Sequence, residues 1–501
     1  MITTVAEARR RVRAVVARRR DSPKVSDAVL ANRDLVVTAL RAHGIAHEHI
    51  PIDSPNRVRI AVADGARGRL LEILRASTPP TTYVYFDSTT IGARRRVQQL
   101  ATAPMRRLRA LGDAAWIWRI FEYRADASGV DVLGDIHGCE LELWGLTEDG
   151  ERVTPRRWNS ALASVDVADF GRGPRAPGIP TRYLATAAFP IDVVYTWVDG
   201  DDPRWRARHD LVVGGIDTGK LHDEASNTAR YESRDELRYS LRSLEKFTDF
   251  VRHVFIVTDD QHPTWLRDDL DGLTVVSHRD IFNDHGALPT FNSHSIESRL
   301  HHVPGLSEHY LYLNDDFFFG RRAVATQFFH SSGLAKFFMS RALIPEGEPS
   351  ARHKPVDSAA MNGRRLVEAA FGVTPTQKFQ HAPYPQLRSV HLDLERRFPA
   401  EIATTTKSRV RSPTDLALAS SLHHHVAYLT GRATQGQLTT QYVDLGGPNL
   451  EGRLYELLRQ KHVDSFCLND TDSDTISPER KRELVHEFLE AYFPEKSSFE
   501  R

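Results

Sequence analysis

Apolar and polar positions come in short bursts over the first third of this chain and settle into a longer strand–helix rhythm after it. Residues 1–50 read as two helices separated by "RDSPKVSD". From 57 to 125, the apolar runs "VRIAVA", "TYVYF" and "AWIWRIFEY" have the length and residue types of strands, with a helix in "GARGRLLEILRAS". "GVDVLGD" and "CELELWGL" suggest another strand pair. The sum is a small α/β domain over residues 1–180. Gly and Pro crowd "GRGPRAPGIPTRY", residues 171–183, so the boundary is expected there, with a second domain over 185–501.

In the second domain "IDVVYTWVDG" predicts a buried strand, "SRDELRYSLRSLEKF" a helix, "HVFIVTDD" and "LTVVSH" strands, "SIESRLHHVPG" a helix and "HYLYLNDD" a strand. Leu237, Leu241 and Leu244 share one face of the first helix, and Ser233 with Glu236 has capping-box spacing. This alternation predicts a parallel, doubly wound sheet, whose ligands bind at the carboxyl ends of its strands. Three of the strands end in acid: Asp199 to Asp202, Asp259 with Asp260, and Asp315 with Asp316. One such end is turn chemistry. Three on one edge suit a divalent cation and a phosphorylated ligand, because Mg²⁺ takes one or two carboxylates plus phosphates and water.

Composition narrows the classes. Lys+Arg and Asp+Glu both number 66, so no global charge draws the chain to nucleic acid. Two distant cysteines, Cys139 and Cys467, fit neither a disulfide framework nor a zinc ribbon and favour a reducing, cytoplasmic setting. No stretch of about 18 apolar residues is present, so no transmembrane helix is expected. Seven arginines within residues 1–20 leave a peripheral membrane contact open, beside the plainer reading of a solvated face.

"FPIDVVYTWVDGDDPRW" (189–205), "ESRDELRYSLRSLEKFTDFVRHVFIVTDDQHPTWL" (232–266) with "LPTFNSHSIESRLHHVPGLSEHYLYLNDDFFFG" (288–320), the block 381–429 beginning "HAPYPQLRSVHLDLERRF", and the block 466–500 beginning "FCLNDTDSD" appear in that order. The series resembles the four blocks of the Stealth proteins, hexose-1-phosphate transferases of capsule and exopolysaccharide synthesis. The resemblance implies a Rossmann-like, glycosyltransferase-A-like nucleotide-sugar core with helical additions. It also implies transfer of a sugar 1-phosphate from a UDP-sugar to a glycan hydroxyl with release of UMP. Mg²⁺ or Mn²⁺ would assist, and contact with a synthesis complex or a second copy stays open. The first 180 residues take no part in it.

On that basis Asp315 and Asp316 hold the cation, or one holds it while the other receives the acceptor proton, with Asn314 in support. Asn469 and Asp470 join the cation or phosphate site, or else form a helix cap. His381 is a candidate general base or phosphoryl stabiliser. Arg411 would clamp phosphate, with Arg409 as substitute, and Asp415 either orients that arginine or caps a helix. Asp192 and Asp199 are expected near uridine, ribose or cation, and Trp197 near a base or sugar unless it is simply core. Arg234 and Arg238, four apart, point to phosphates, flanking Asp235 and Glu236. Asn292, Ser293 and Glu297 form a sugar-proximal segment. Glu297 with His301 has zinc-pair spacing on a face shared with His294, but no third ligand. His423 to His425 point in different directions along a helix and suggest no site. Two rivals remain: a glycosyltransferase of the same fold releasing UDP, and a non-catalytic sugar-nucleotide or glycan-binding subunit.

Overall fold

A computed structural model describes residues 25–50, 54, 56–88, 96–125, 132–156, 163–172, 187–216, 222, 231, 233–269, 271–470 and 476–501. The arginine-rich segment 1–20, residues 173–183 of the Gly/Pro-rich stretch and most of the polar run after Asp470 lie outside them. The chain divides into two compact units, Met1–Tyr183 and Leu184–Arg501.

The first unit is built on an eight-stranded mixed sheet. Its main path runs His47–Ile50, Val58–Ala63, Cys139–Leu146, Ile117–Glu122, Thr82–Asp87, Val97–Gln99. Helices Val25–Ala42, Arg67–Ser77 and Met105–Asp113 contribute to a core where Leu40, Leu70, Leu74, Leu108, Trp118 and Leu141 are buried. The second helix expected before residue 50 stops at Ala42. Gly44 there takes a left-handed φ of 64°, and His47–Ile50 forms the terminal strand.

The second unit carries strands β1 (Ile191–Thr196), β2 (Val251–Thr258), β3 (Leu273–Ser277), β4 (His309–Asn314), β5 (Phe317–Phe319), β6 (Tyr384–Leu387), β7 (Thr440–Asp444) and β8 (Ser465–Asn469). Five of them form one sheet in the order β3-β2-β1-β4-β6, parallel except for β6. The sequence β3-β2-β1-β4 is that of a Rossmann-like half, as the strand–helix rhythm requires. A second sheet, β5-β8-β7, starts two residues after β4 ends.

The helices that matter below are α1 (Pro203–Gly214), α2 (Glu236–Phe247), α3 (Ser293–Glu297), α4 (Arg388–Arg397), α5 (Pro399–Lys407) and α6 (Pro478–Tyr492). On α2, Leu237, Leu241 and Leu244 are buried as their spacing predicts. Polar groups on the same helix tie the two sheets: Ser240 Oγ lies 2.8 Å from Tyr195 Oη of β1 and donates to the Phe317 carbonyl of β5. Ser243 Oγ accepts from Phe319 N at 3.0 Å. The expected Ser233–Glu236 capping box does not form. Asp235, at a left-handed φ of 63°, occupies the cap, and the Glu236 carboxylate instead accepts from Arg234 N at 2.5 Å. The helix expected over "SIESRLHHVPG" is also broken, into α3 and a separate 3₁₀ turn, Leu300–His302.

Candidate active site

The parallel register sets Thr196 beside Val257 on one flank and Asn314 on the other, so the strand ends form one edge. Asp315 and Asp316 are the two residues that carry the chain from β4 into β5. β5 is wholly buried, with Phe317, Phe318 and Phe319 all at 0% exposure, which fixes the turn from below. Phe317 pairs with Cys467, and Leu468 N donates to the Asp316 carbonyl at 3.1 Å. Alternate residues of a strand share a face. Cys467 Sγ and Asn469 Nδ2 therefore both reach Asp316 Oδ2, at 3.2 and 3.3 Å.

The other two acidic strand ends are satisfied by the protein. Asp259 pairs with Arg208 at 2.7 Å, and Asp260 pairs with Arg279 at 3.3 Å and takes a bond from Ser277. Asp202 caps α1 and, like the Asp199 backbone, is held by Gln261. Asp315 and Asp316 have Glu236 as a further acidic neighbour, and Glu236 is itself paired with Arg234 at 3.6 Å. Burial, then Asp316, then Glu236 push the Asp315 carboxyl well above the usual range. Burial with some help from Glu236 pushes Asp316 up to about 6, against the opposing bonds from Cys467 and Asn469. Burial raises Glu236 as well. Asp315 and Asp316, adjacent and buried, need a cation to be ionised together.

The donor set fits a hard divalent ion. Asp316 Oδ1 is buried without a hydrogen-bond partner. The atoms Asp316, His381 and Cys467 offer lie within 4.8 Å of one another, but burial and the neighbouring Asp316 hold the Cys467 thiol protonated. That leaves the Asp316 carboxylate and the His381 imidazole, with the Asp315 carboxylate next in the chain, a set that suits Mg²⁺ or Mn²⁺ better than a thiolate-seeking metal.

His381 stands beside Asp316, and Arg411 acts on His381. His381 Nδ1 lies 3.0 Å from Tyr384 Oη and the ring stands edge-on to Phe317, while its buried Nε2 makes no hydrogen bond. Burial and Arg411 lower its pKa to about 4, so the imidazole is neutral near pH 7. Arg411 Nη2 donates to Ser293 Oγ at 2.8 Å and its charge acts on Glu297, whose carboxyl burial raises. Asn292 caps α3 and binds Asp415 Oδ2 at 2.8 Å, and the same oxygen accepts from Ser412 N at 2.8 Å. Asp415 thus fastens the loop bearing Arg411 to α3. Arg409 is exposed and bonded to the Gly286 carbonyl. Asn314 Oδ1 accepts from Tyr312 Oη at 2.8 Å, behind the acidic turn.

Other candidates stand differently from their sequence-based expectation. Asp192 is fully buried at the start of β1, bound by Arg252 at 2.8 and 2.6 Å and by Ser307 N at 2.7 Å. Four residues of strand, about 13 Å, separate it from the carboxyl edge. It ties the start of β1 to Arg252 and Ser307, away from the acidic turn. Arg234 precedes α2, so it shares no helix face with Arg238. Arg238 is bound to Glu500 at 2.5 Å. Asp470 is gripped by Arg234 at 2.6 Å and by Lys481 at 2.7 and 3.0 Å, a charge partner more than an open metal ligand. Trp197 is 8% exposed and extends the β1–β2 ladder through its N–H. Asp199 makes local turn bonds to Asp201 and Gln261. His301 meets His302 and Glu395, while Glu297 is under the influence of Arg411. Of the triple histidine, His423 and His424 are core, with His423 Nε2 accepting from Leu387 N. Tyr384 and Lys481 escaped the sequence reading, which took Cys467 only as a sign of a reducing setting. The i, i+2 spacing of Cys467 and Asn469 on a strand was the one available signal.

Comparison with known proteins adds a family. Residues 189–217, 230–337, 380–428 and 456–501 match Stealth protein conserved regions 1, 2, 3 and 4 respectively. Exopolysaccharide phosphotransferase SCO6023 of Streptomyces coelicolor is 42% identical over 94% of this chain and 82% of its own length. Exopolysaccharide phosphotransferase CpsY of Mycobacterium tuberculosis is 36% identical over 75% of this chain and 72% of its own. Among solved structures, mouse xyloside xylosyltransferase 1 matches 56% of this chain and 97% of that one, at 11% identity and a TM-score of 0.27.

Proposed function

Since the chain belongs to the Stealth protein family, we propose that it is a phosphotransferase of exopolysaccharide synthesis that moves a sugar 1-phosphate from a UDP-sugar to a glycan hydroxyl. The observation that carries the reading is the buried Asp315–Asp316 pair, with Glu236 as a further acid, beside a neutral His381 on which Arg411 acts. In the reaction an acceptor hydroxyl attacks the β-phosphorus, a new P–O bond forms, the bond to the bridging oxygen breaks and UMP departs. The hydroxyl proton passes to the free Nε2 of His381, whose Nδ1 is steadied by Tyr384. Arg411 and Arg234 offer guanidinium donors to the phosphoryl oxygens, one held by Ser293 and the other by Asp470. Asp315, Asp316 and Asn469 would hold Mg²⁺ or Mn²⁺, which supplies neutralising charge to the pyrophosphate. Among the described residues no helix is long and apolar enough to cross a membrane. We place the reaction in the cytoplasm, where nucleotide sugars are made.

Phosphorus NMR of the protein with Mg²⁺, UDP-N-acetylglucosamine and a mixed oligosaccharide acceptor pool tests this. UMP together with a new phosphodiester signal, both absent with Asp316→Asn, is the expected result. UDP without a diester would replace phosphotransfer by glycosyl transfer.

A further inference from the structure

A second group of ligating side chains sits away from the acidic turn. His301 and His302 come from the 3₁₀ turn before β4, and Glu395 from α4. One atom from each lies within 4.8 Å of the others. His301 Nε2 is 3.2 Å from Glu395 Oε2, and His302 Nε2 is 2.9 Å from Glu395 Oε1. His301 is 0% exposed, yet neither of its ring nitrogens makes a properly directed hydrogen bond. The Glu395 carboxylate, at 3.2 Å, is the polar group that the structure sets against this buried ring, so two imidazoles and a carboxylate converge on one point.

We infer that His301, His302 and Glu395 form a zinc site, separate from the cation of the phosphotransfer reaction. Two imidazoles and a carboxylate are borderline ligands that suit Zn²⁺, whereas the acidic turn suits Mg²⁺. Each side chain comes with its neighbours. Arg299 Nη1 donates to Glu395 Oε1 at 2.5 Å and anchors the carboxylate, leaving Oε2 toward His301. His391 stacks on the His301 ring, centroids 5.2 Å apart, and fixes its plane. Such outer contacts orient metal ligands and raise their affinity. A route in exists, because Arg299 and Glu395 line a cavity of about 220 Å³ that Lys407 and Asp284 also border.

The test loads the full-length, metal-stripped protein with Zn²⁺ or Co²⁺ in excess Mg²⁺, which keeps the acidic turn occupied. Expected are one tightly held ion per chain, the intense visible absorption of tetrahedral Co²⁺, and X-ray absorption fine structure with two imidazoles around zinc. His302→Gln and Glu395→Gln each weaken binding at least ~10-fold, and Asp316→Asn leaves it unchanged. Weak octahedral cobalt bands, zinc scattering without two imidazoles, or binding lost in Asp316→Asn but kept in His302→Gln would each overturn the assignment. The scattering measurement uses the unaltered chain, so it decides even where a variant fails to fold.

Discussion

Asp316 couples function to stability at a single side chain. Burial raises its pKa to about 6 from the ordinary 3.8. The folded state therefore holds this proton more tightly than the unfolded state does. Its contribution is present below about pH 4 and is lost as pH rises through about 6. Without metal, wild type should lose on the order of 1–2 kcal/mol across that range relative to Asp316→Asn, whose amide never ionises. Urea unfolding of both proteins at pH 4, 5, 6 and 7 measures the difference. The same variant should transfer phosphate roughly 10²–10³-fold more slowly. A variant that is neither more stable at pH 7 nor slower in transfer would remove Asp316 from the proposed site. The gain in stability belongs with the loss of function, because like charges packed for catalysis strain the empty fold.

At the scale of elements, α2 is the beam that sets the acidic turn, and its hold depends on Glu500. That carboxylate accepts from Arg238 at 2.5 Å, from Arg242 at 2.7 and 2.8 Å, and from Ser497 N at 2.8 Å. Burial alone would raise its pKa, but the bonds from Arg242 and Arg238 outweigh it and bring the value to about 2. A depressed carboxylate stabilises above its unfolded pKa of about 4.5, and the gain disappears as pH falls toward 2. Glu500→Gln should cost about 3 kcal/mol at pH 7 and progressively less in acid. Denaturant titrations at pH 7 and pH 3 check it, and an equal cost at both would mean that shape, not charge, is what Glu500 supplies. The sequence made α2 legible through Leu237, Leu241 and Leu244, because a helix face repeats locally. It could not reveal Glu500 as the partner of Arg242, 258 residues away. Asp192 misled for the same reason: an acid inside a strand looks functional until Arg252 is seen beside it. Cys467 went unread as a neighbour of Asp316 because that contact comes from the register of β8 against β5, which no local pattern carries.

For the whole molecule, the strand–helix rhythm after residue 185 foretold the parallel sheet, since buried parallel strands read as near-continuous apolar runs. The second sheet was invisible, because β5 and β8 are short and meet only through long-range pairing. Yet it is the junction of the two sheets that makes the acidic turn. The turn Asp315–Asp316 leaves one sheet and enters the other within two residues, which holds both acids between two buried strands. Every group assigned to the phosphotransfer site falls within Leu184–Arg501, whose sheets close a core of their own. Residues 184–501 expressed alone should therefore unfold in one cooperative transition and bind a UDP-sugar within roughly threefold of the full chain's affinity, a gap under 1 kcal/mol. Calorimetry on both forms with Mg²⁺ present is the measurement. Donor binding that vanishes in a cooperatively folded 184–501 would assign part of the donor site to the first unit. Donor binding that persists while transfer to glycan is lost would give that unit the acceptor. Either of these two outcomes would map a function onto residues 1–183, whereas unchanged binding and transfer would place the whole reaction in the second unit.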